Sequence, residues 1–198
     1  VGACGSALGT VLFTESLRFI SPSVSVLIQK LQPIIVVAVA ALFLGERPKS
    51  NFYPWATLSF VAALFLSFPD LRFDFVTKQD QTHLVGVLLA LGCTTMWGIS
   101  TVGGRALLLN HPPAVALFWR YAFGVITLGF LLFIKSQPVI NLAAFGAHRV
   151  QAEVLYLTTI AGIIPMAIYY RGLAGATASV TTFVELLYPV GSVILSAL

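Results

Sequence analysis

Gln29, Lys30, Arg120 and Glu185 stand inside long apolar stretches of this chain, where a polar or charged side chain needs a reason to be. A charge at the centre of a membrane-spanning helix costs roughly 2.5–3.5 kcal/mol on insertion scales, so function or a buried partner is the default explanation. Gln29 and Glu185 each lie one helical turn before a proline, Pro33 and Pro189. Proline lacks the N–H that would bond the carbonyl four residues back, so each proline frees an acceptor where a polar side chain already stands. In lipid such groups must be met by protein or by water in a cavity. The pattern suggests recognition of a polar solute inside a membrane, with Gln29, Lys30, Pro33, Glu185 and Pro189 around its path. A kink used only for packing is the plainer alternative. Lys30 lies too deep to snorkel easily. An ion pair with Glu185 would make both residues structural, whereas a Glu185 that takes up a proton would couple movement of the solute to a proton gradient.

Arg120 stands between Trp119 and Tyr121. It reads as a guanidinium that holds a carboxylate between aromatic walls, or as a structural arginine tied to helix-end carbonyls. Trp97, followed by Gly98, and Tyr188, directly before Pro189, are the strongest candidates to line a cavity. Trp119, Tyr169 and Tyr170 are weaker ones, because aromatic residues also form belts at the membrane surface. Arg105 and Arg171 lie near helix ends, where snorkelling is cheap. Glu46 opposes the dipole of the helix it ends and is expected to pair with Arg47, Lys49 or another loop. The small-residue runs 2–9, 98–104 and 172–178 permit close helix contact or sliding.

Other chemistries find no footing. His83, His111 and His148 fall at or between helix ends without metal spacing. Cys4 and Cys93 share no C-x-x-C or Cys/His arrangement and read as small packing residues. The chain has no H-E-x-x-H, no G-x-S-x-G, no phosphate-cradling glycine loop and no filter-like channel sequence. Neither an enzyme nor a cofactor or metal is expected. The net charge of +4 is spread thinly, so no nucleic-acid patch forms.

The elements that must hold these residues are apolar helices. Hydrophobic residues make up 58% of the 198 and charged ones 9%, and mean hydropathy is +0.94. Soluble domains are about a quarter charged, so lipid is the expected solvent. A span needs about 20 apolar residues, and that ruler predicts seven helices: 2–19, 22–44, 51–69, 83–108, 112–134, 152–173 and 177–198. The turns are Ser21-Pro22, Gly45 to Lys49, the charged stretch 70–82, Asn110 to Pro113 and the longer loop 136–151, which is amphipathic enough to lie at the interface. The apolar runs recur to the last residue, so a signal peptide does not explain them. The chain starts without Met inside one such run and stops inside another, and it is expected to be a fragment.

A repeat organises these helices. Residues 13–33 and 169–189 align without a gap at a constant offset, pairing Leu17 with Leu173, Ser23 with Ser179, Leu31 with Leu187 and Pro33 with Pro189. The charged stretch divides the copies into residues 1–69, the 70–82 loop and 83–198. Within 83–198 a pair of helices precedes the repeated pair, which implies five helices per unit. The first unit then lacks two helices and the second lacks one. An odd number per unit sets the halves in opposite senses across the bilayer, the inverted repeat of secondary carriers, whose site lies where the halves meet. The expected fold is an all-α polytopic transmembrane bundle of two inverted five-helix repeats, both incomplete.

Several pieces in order resemble the drug/metabolite transporter superfamily, in its ten-helix EamA-type branch. Ser23-x-Ser25 through Leu31-Gln32-Pro33 to Leu42-Phe43-Leu44-Gly45-Glu46 is similar to that family's fourth helix, and 176–189 repeats its opening stretch. Met96-Trp97-Gly98 resembles the first helix of a unit, and Pro112-Pro113 through Phe118-Trp119-Arg120-Tyr121 resembles the second. The resemblance covers the chain as the third to ninth helices of ten. It implies a multi-pass protein of a bacterial-type inner membrane that carries small metabolites, often amino acids or related compounds outward, by alternating access. It leaves open protons as coupling ion and a homodimer. A non-transporting membrane scaffold or receptor subunit is the alternative. Cytoplasmic termini would put Arg47, Lys49, Arg105 and Arg171 inside and Arg18, Arg72, Lys78, Lys135 and Arg149 outside, which gives no inner excess of the kind the positive-inside rule expects. Orientation therefore follows from resemblance alone.

Overall fold

The computed structural model describes residues 1–67, 81–135, 146 and 148–187. Tyr188, Pro189 and most of the 70–82 loop lie outside the described residues. All the described elements are helical. A π-helical segment Gly2–Leu8 runs into α1 (Gly9–Ser16), followed by α2 (Pro22–Gln29), α3 (Gln32–Phe43) and α4 (Phe52–Ser67). After the charged stretch come α5 (Gln81–Leu108), α6 (Pro113–Lys135), α7 (His148–Thr158), a π turn Thr159–Ile163, α8 (Ile164–Gly175), α9 (Ala178–Val184) and a 3-10 turn Glu185–Leu187. Each of the seven expected helices has a counterpart, the last of them over its described part 178–187, and among the described residues four continuous stretches are long and apolar enough to cross a membrane: Pro22–Phe43, Thr82–Leu108, Pro113–Ile134 and Arg149–Gly175.

Prolines explain where the long helices lose regularity. Pro33 follows a break at Lys30 and Leu31, whose N–H groups turn back to the carbonyls of Leu27 and Ile28, three residues away rather than four. Pro165 sits at the start of α8, directly after the π turn. Both prolines lie near the N-terminus of a new helical segment, where a missing N–H matters least.

Many small residues lie inside the bundle, and many large apolar ones face outward. Phe133 is 84% exposed, while Ala90, Cys93, Thr94 and Ser100 on α5 are buried. This inversion suits a lipid surround, where outward apolar groups cost nothing and close helix packing is the cohesive force. α5 is the hub, touching the N-terminal π segment, α1, α2, α3, α6, α8 and α9. A Cβ on Gly5 would collide with the Ser100 side chain, and one on Gly98 would press against Ile35 at 3.0 Å. Three buried clusters surround this hub: Ile20, Val24, Ile28 and Ala90; Val36, Ala40, Val102 and Ala178; and Leu108, Ala116, Tyr170 and Leu173.

The repeated segments share their local geometry. Ser21 caps α2, its hydroxyl accepting from the Val24 N–H at 3.4 Å with ψ of 151°. Thr177 caps α9 in the same way, accepting from Val180 N–H at 3.3 Å with ψ of 153°. These pairs stand at the offset that aligns Pro33 with Pro189. The break at Lys30–Leu31 likewise aligns with the 3-10 turn Glu185–Leu187.

Candidate functional site

Helices from both sides of the charged stretch surround one polar-lined cavity of about 630 Å³. The N-terminal π segment and α1 contribute Gly5, Ser6 and Thr10, and α3 contributes Gln32. The second half contributes Trp97, Ser100 and Thr101 from α5, Arg120 from α6, Met166 and Tyr169 from α8, and Glu185 at the end of α9. The volume suits a small organic molecule.

Arg120 marks one end. Its Nη1 donates to Ser100 Oγ at 3.3 Å and to the Tyr170 hydroxyl at 3.2 Å, and its guanidinium lies 5.8 Å from the centre of the Tyr170 ring. Ser100 in turn donates to the Val1 carbonyl at 3.3 Å. Tyr170 is fully buried, so the arginine rests on a fixed support. The Nε of Arg120 is buried without a hydrogen-bond partner among the described residues, a donor that something must satisfy.

Glu185 marks another region of the wall. It accepts from Gln32 Nε2 at 3.4 Å, and Tyr169 lines the same wall beside it, as does Thr101. Consecutive residues of α8 thus serve the two charges, Tyr169 beside Glu185 and Tyr170 beside Arg120, with ring centres 6.0 Å apart. The described ion pairs are Arg18–Glu15, Arg105–Glu46 and Arg149–Glu153. Arg120 and Glu185 are in none of them, so cation and acid face one cavity without neutralising each other directly. Trp97 supplies an aromatic wall, fixed by its indole N–H donating to the Gly5 carbonyl at 3.0 Å and by Phe13, whose ring centre is 5.8 Å away.

The other candidates lie elsewhere. Pro33 is buried at the start of α3. Gln29 is partly buried, with its Nε2 lacking a partner among the described residues, and it does not line the cavity. Lys30 forms no ion pair among the described residues and does not line the cavity either. The break at Lys30–Leu31 turns the helix so that Gln32, rather than Gln29, reaches Glu185. Trp119 is half exposed and lines a separate crevice of about 230 Å³ that it shares with Arg120. Ser100, Thr101 and Gln32 carry no sequence signal, since small polar residues are common in membrane helices. Tyr169 and Tyr170 are visible in the sequence only as aromatic residues.

A chain of transporter-like helices around a dipolar cavity invites comparison with known proteins. The model of the EamA-like transporter family matches residues 1–68 and 84–198. The chain belongs to the EamA-like transporter family. It is 30% identical over 197 residues to the riboflavin transporter ImpX of Fusobacterium nucleatum, covering 98% of this chain and 64% of that protein. It is 27% identical over 118 residues to the uncharacterized inner membrane transporter YhbE of Escherichia coli, covering 60% of this chain and 36% of that protein. A protein crystal structure at 19% identity superposes with a TM-score of 0.72 over 98% of this chain and 65% of its own, which speaks for a shared fold. The chain thus spans just under two thirds of the length of the riboflavin transporter it matches. Membership in this family makes it an integral, multi-pass membrane protein.

Proposed function

We propose that the chain forms the core of a secondary carrier that moves small, amino-acid-like metabolites outward by alternating access through the central cavity. The observation that carries this reading is the pairing of Arg120 and Glu185 on one cavity without a direct ion pair. A zwitterion presents a carboxylate for the guanidinium and an ammonium for the carboxylate, and its flat or apolar portion would lie on Trp97. Each charge then meets an opposite charge when cargo is bound, which is how a buried charge becomes recognition rather than dead weight. A scaffold would bury these groups against neighbouring side chains and leave no such cavity.

The repeat supports the mechanical half of the proposal. Family matches fall in two pieces that flank the charged stretch, and Ser21 and Thr177 cap corresponding helices with the same backbone geometry. Two units of opposite sense, residues 1–69 and 83–198, would rock about the cavity between them. Glu185 is the group through which a proton gradient would act. A second reading, a flavin as cargo, is favoured by the 30% identity along nearly the whole chain to a riboflavin transporter.

Full-length protein in proteoliposomes, offered a panel of amino acids and riboflavin with and without a pH gradient, tests these readings. We expect movement of a zwitterionic amino acid, with Glu185→Gln retaining exchange but losing its response to the gradient. Riboflavin as the sole transported compound would replace the first reading by the second. A folded protein that moves no member of the panel would overturn both.

A further inference from the structure

Beyond the cavity, at the end of α3, a second polar cluster ties the two halves together. Gly45, with φ of +66°, turns the chain after α3 so that the Glu46 N–H reaches back to the Ala40 carbonyl at 3.3 Å. Glu46 Oε1 then meets Arg105 Nε of α5 at 3.0 Å, while Oε2 accepts from the Ala178 N–H at the start of α9 at 2.9 Å. The Nη1 of Arg105 donates to the last carbonyls of α8, Leu173 at 3.2 Å and Ala174 at 2.9 Å. Acid therefore sits at a helix N-terminus and cation at a helix C-terminus, each where the backbone dipole favours it. Both side chains are only 15% exposed, unlike Arg18 at 72% or Arg149 at 90% in the surface pairs.

Its position relative to the cavity gives this cluster a task. Thr101 lines the cavity and Arg105 stands one turn further along α5, with Val102 between them on the same helix. Val102 is packed with Val36, Ala40 and Ala178 into a buried apolar layer. An apolar layer made of α3, α5 and α9 thus lies next to Thr101 on the way to the Glu46 side, and the ion pair clamps those same helices behind it. We infer that Glu46 and Arg105 form a latch that holds this side of the cavity shut and must release before the cavity can open there. The inference rests on the alternating-access reading for its purpose, but the closure can be tested without any cargo.

The reporter is Val102→Cys, in full-length protein whose Cys4 and Cys93 are replaced by alanine, reconstituted in vesicles and treated with a charged, membrane-impermeant thiol reagent from the Glu46 side. With the latch intact, labelling is expected to be slow. Glu46→Gln, which keeps the shape and the acceptor for Ala178 but removes the charge, should speed it at least tenfold, and Arg105→Gln should act in the same direction. Thermal melting of each variant guards against unfolding as the cause. As a second arm, Glu46→Gln combined with Arg105→Gln should label no faster than the faster of the two single variants, because both substitutions act on the same pair. Labelling of a folded Glu46→Gln protein at the unaltered rate would overturn the latch, as would accelerations that simply multiply in the double variant. Neither result depends on finding a transported compound, so the latch can fail while the carrier reading stands, and the reverse.

Discussion

At the scale of single residues, the site is a set of charges each held by a neutral neighbour. Tyr170 is buried under Arg120 and contributes both a hydroxyl acceptor and a ring face. Hydrogen bonds to charged groups contribute about 1.5–3 kcal/mol, so Tyr170→Phe, which keeps the ring, should raise KM for a carboxylate-bearing cargo about tenfold or more. Maximal flux should change much less. Transport assays with the compound found by the panel would check this, and an unchanged KM would mean that the hydroxyl does not position Arg120. Arg120 and Glu185 are legible in the sequence because a charge amid apolar residues is conspicuous. Gln32 is not. The proline rule identifies which backbone carbonyl is freed, near Gln29, but it does not say how far the break rotates the side chains that follow.

At the scale of elements, the helices are the most legible feature, since apolar length and proline, glycine and charge at their ends are local signals. The irregular turns before Pro33 and Pro165 are also local, and follow from a missing N–H. Gly45 shows how much rests on one such signal. Nothing lies within 4 Å of where its Cβ would be, so its requirement is purely one of backbone conformation. Left-handed φ costs a non-glycine residue roughly 1–2 kcal/mol. Gly45→Ala should therefore lower the melting temperature of the purified protein by a few degrees, on the order of 2–4 °C per kcal/mol for a chain of this size. Asparagine tolerates that conformation better, and Gly45→Asn should recover some of the loss. Equal melting of all three proteins would show that the turn relaxes without penalty.

At the scale of the whole molecule, the pairing of distant segments is what the sequence does not show. Local reasoning gives Glu46 a partner among nearby loops, yet its partner lies 59 positions away, together with the start of α9. The sense of each helix, by contrast, follows from counting, and it can be tested. In a background without Cys4 and Cys93, Lys49→Cys and Asn110→Cys should react with an impermeant thiol reagent from one face of the membrane, and Arg18→Cys and Arg149→Cys from the other. All four reacting from one face would refute the alternation on which the inverted units depend. The consecutive tyrosines of α8 carry a last consequence. Neighbouring residues of a helix point about 100° apart, so any twist of α8 swings the supports of Arg120 and Glu185 together, as two teeth on one gear. Recognition of one end of a cargo and of the other are then set by a single moving piece. A lineage that changed its cargo would have to re-cut both teeth at once.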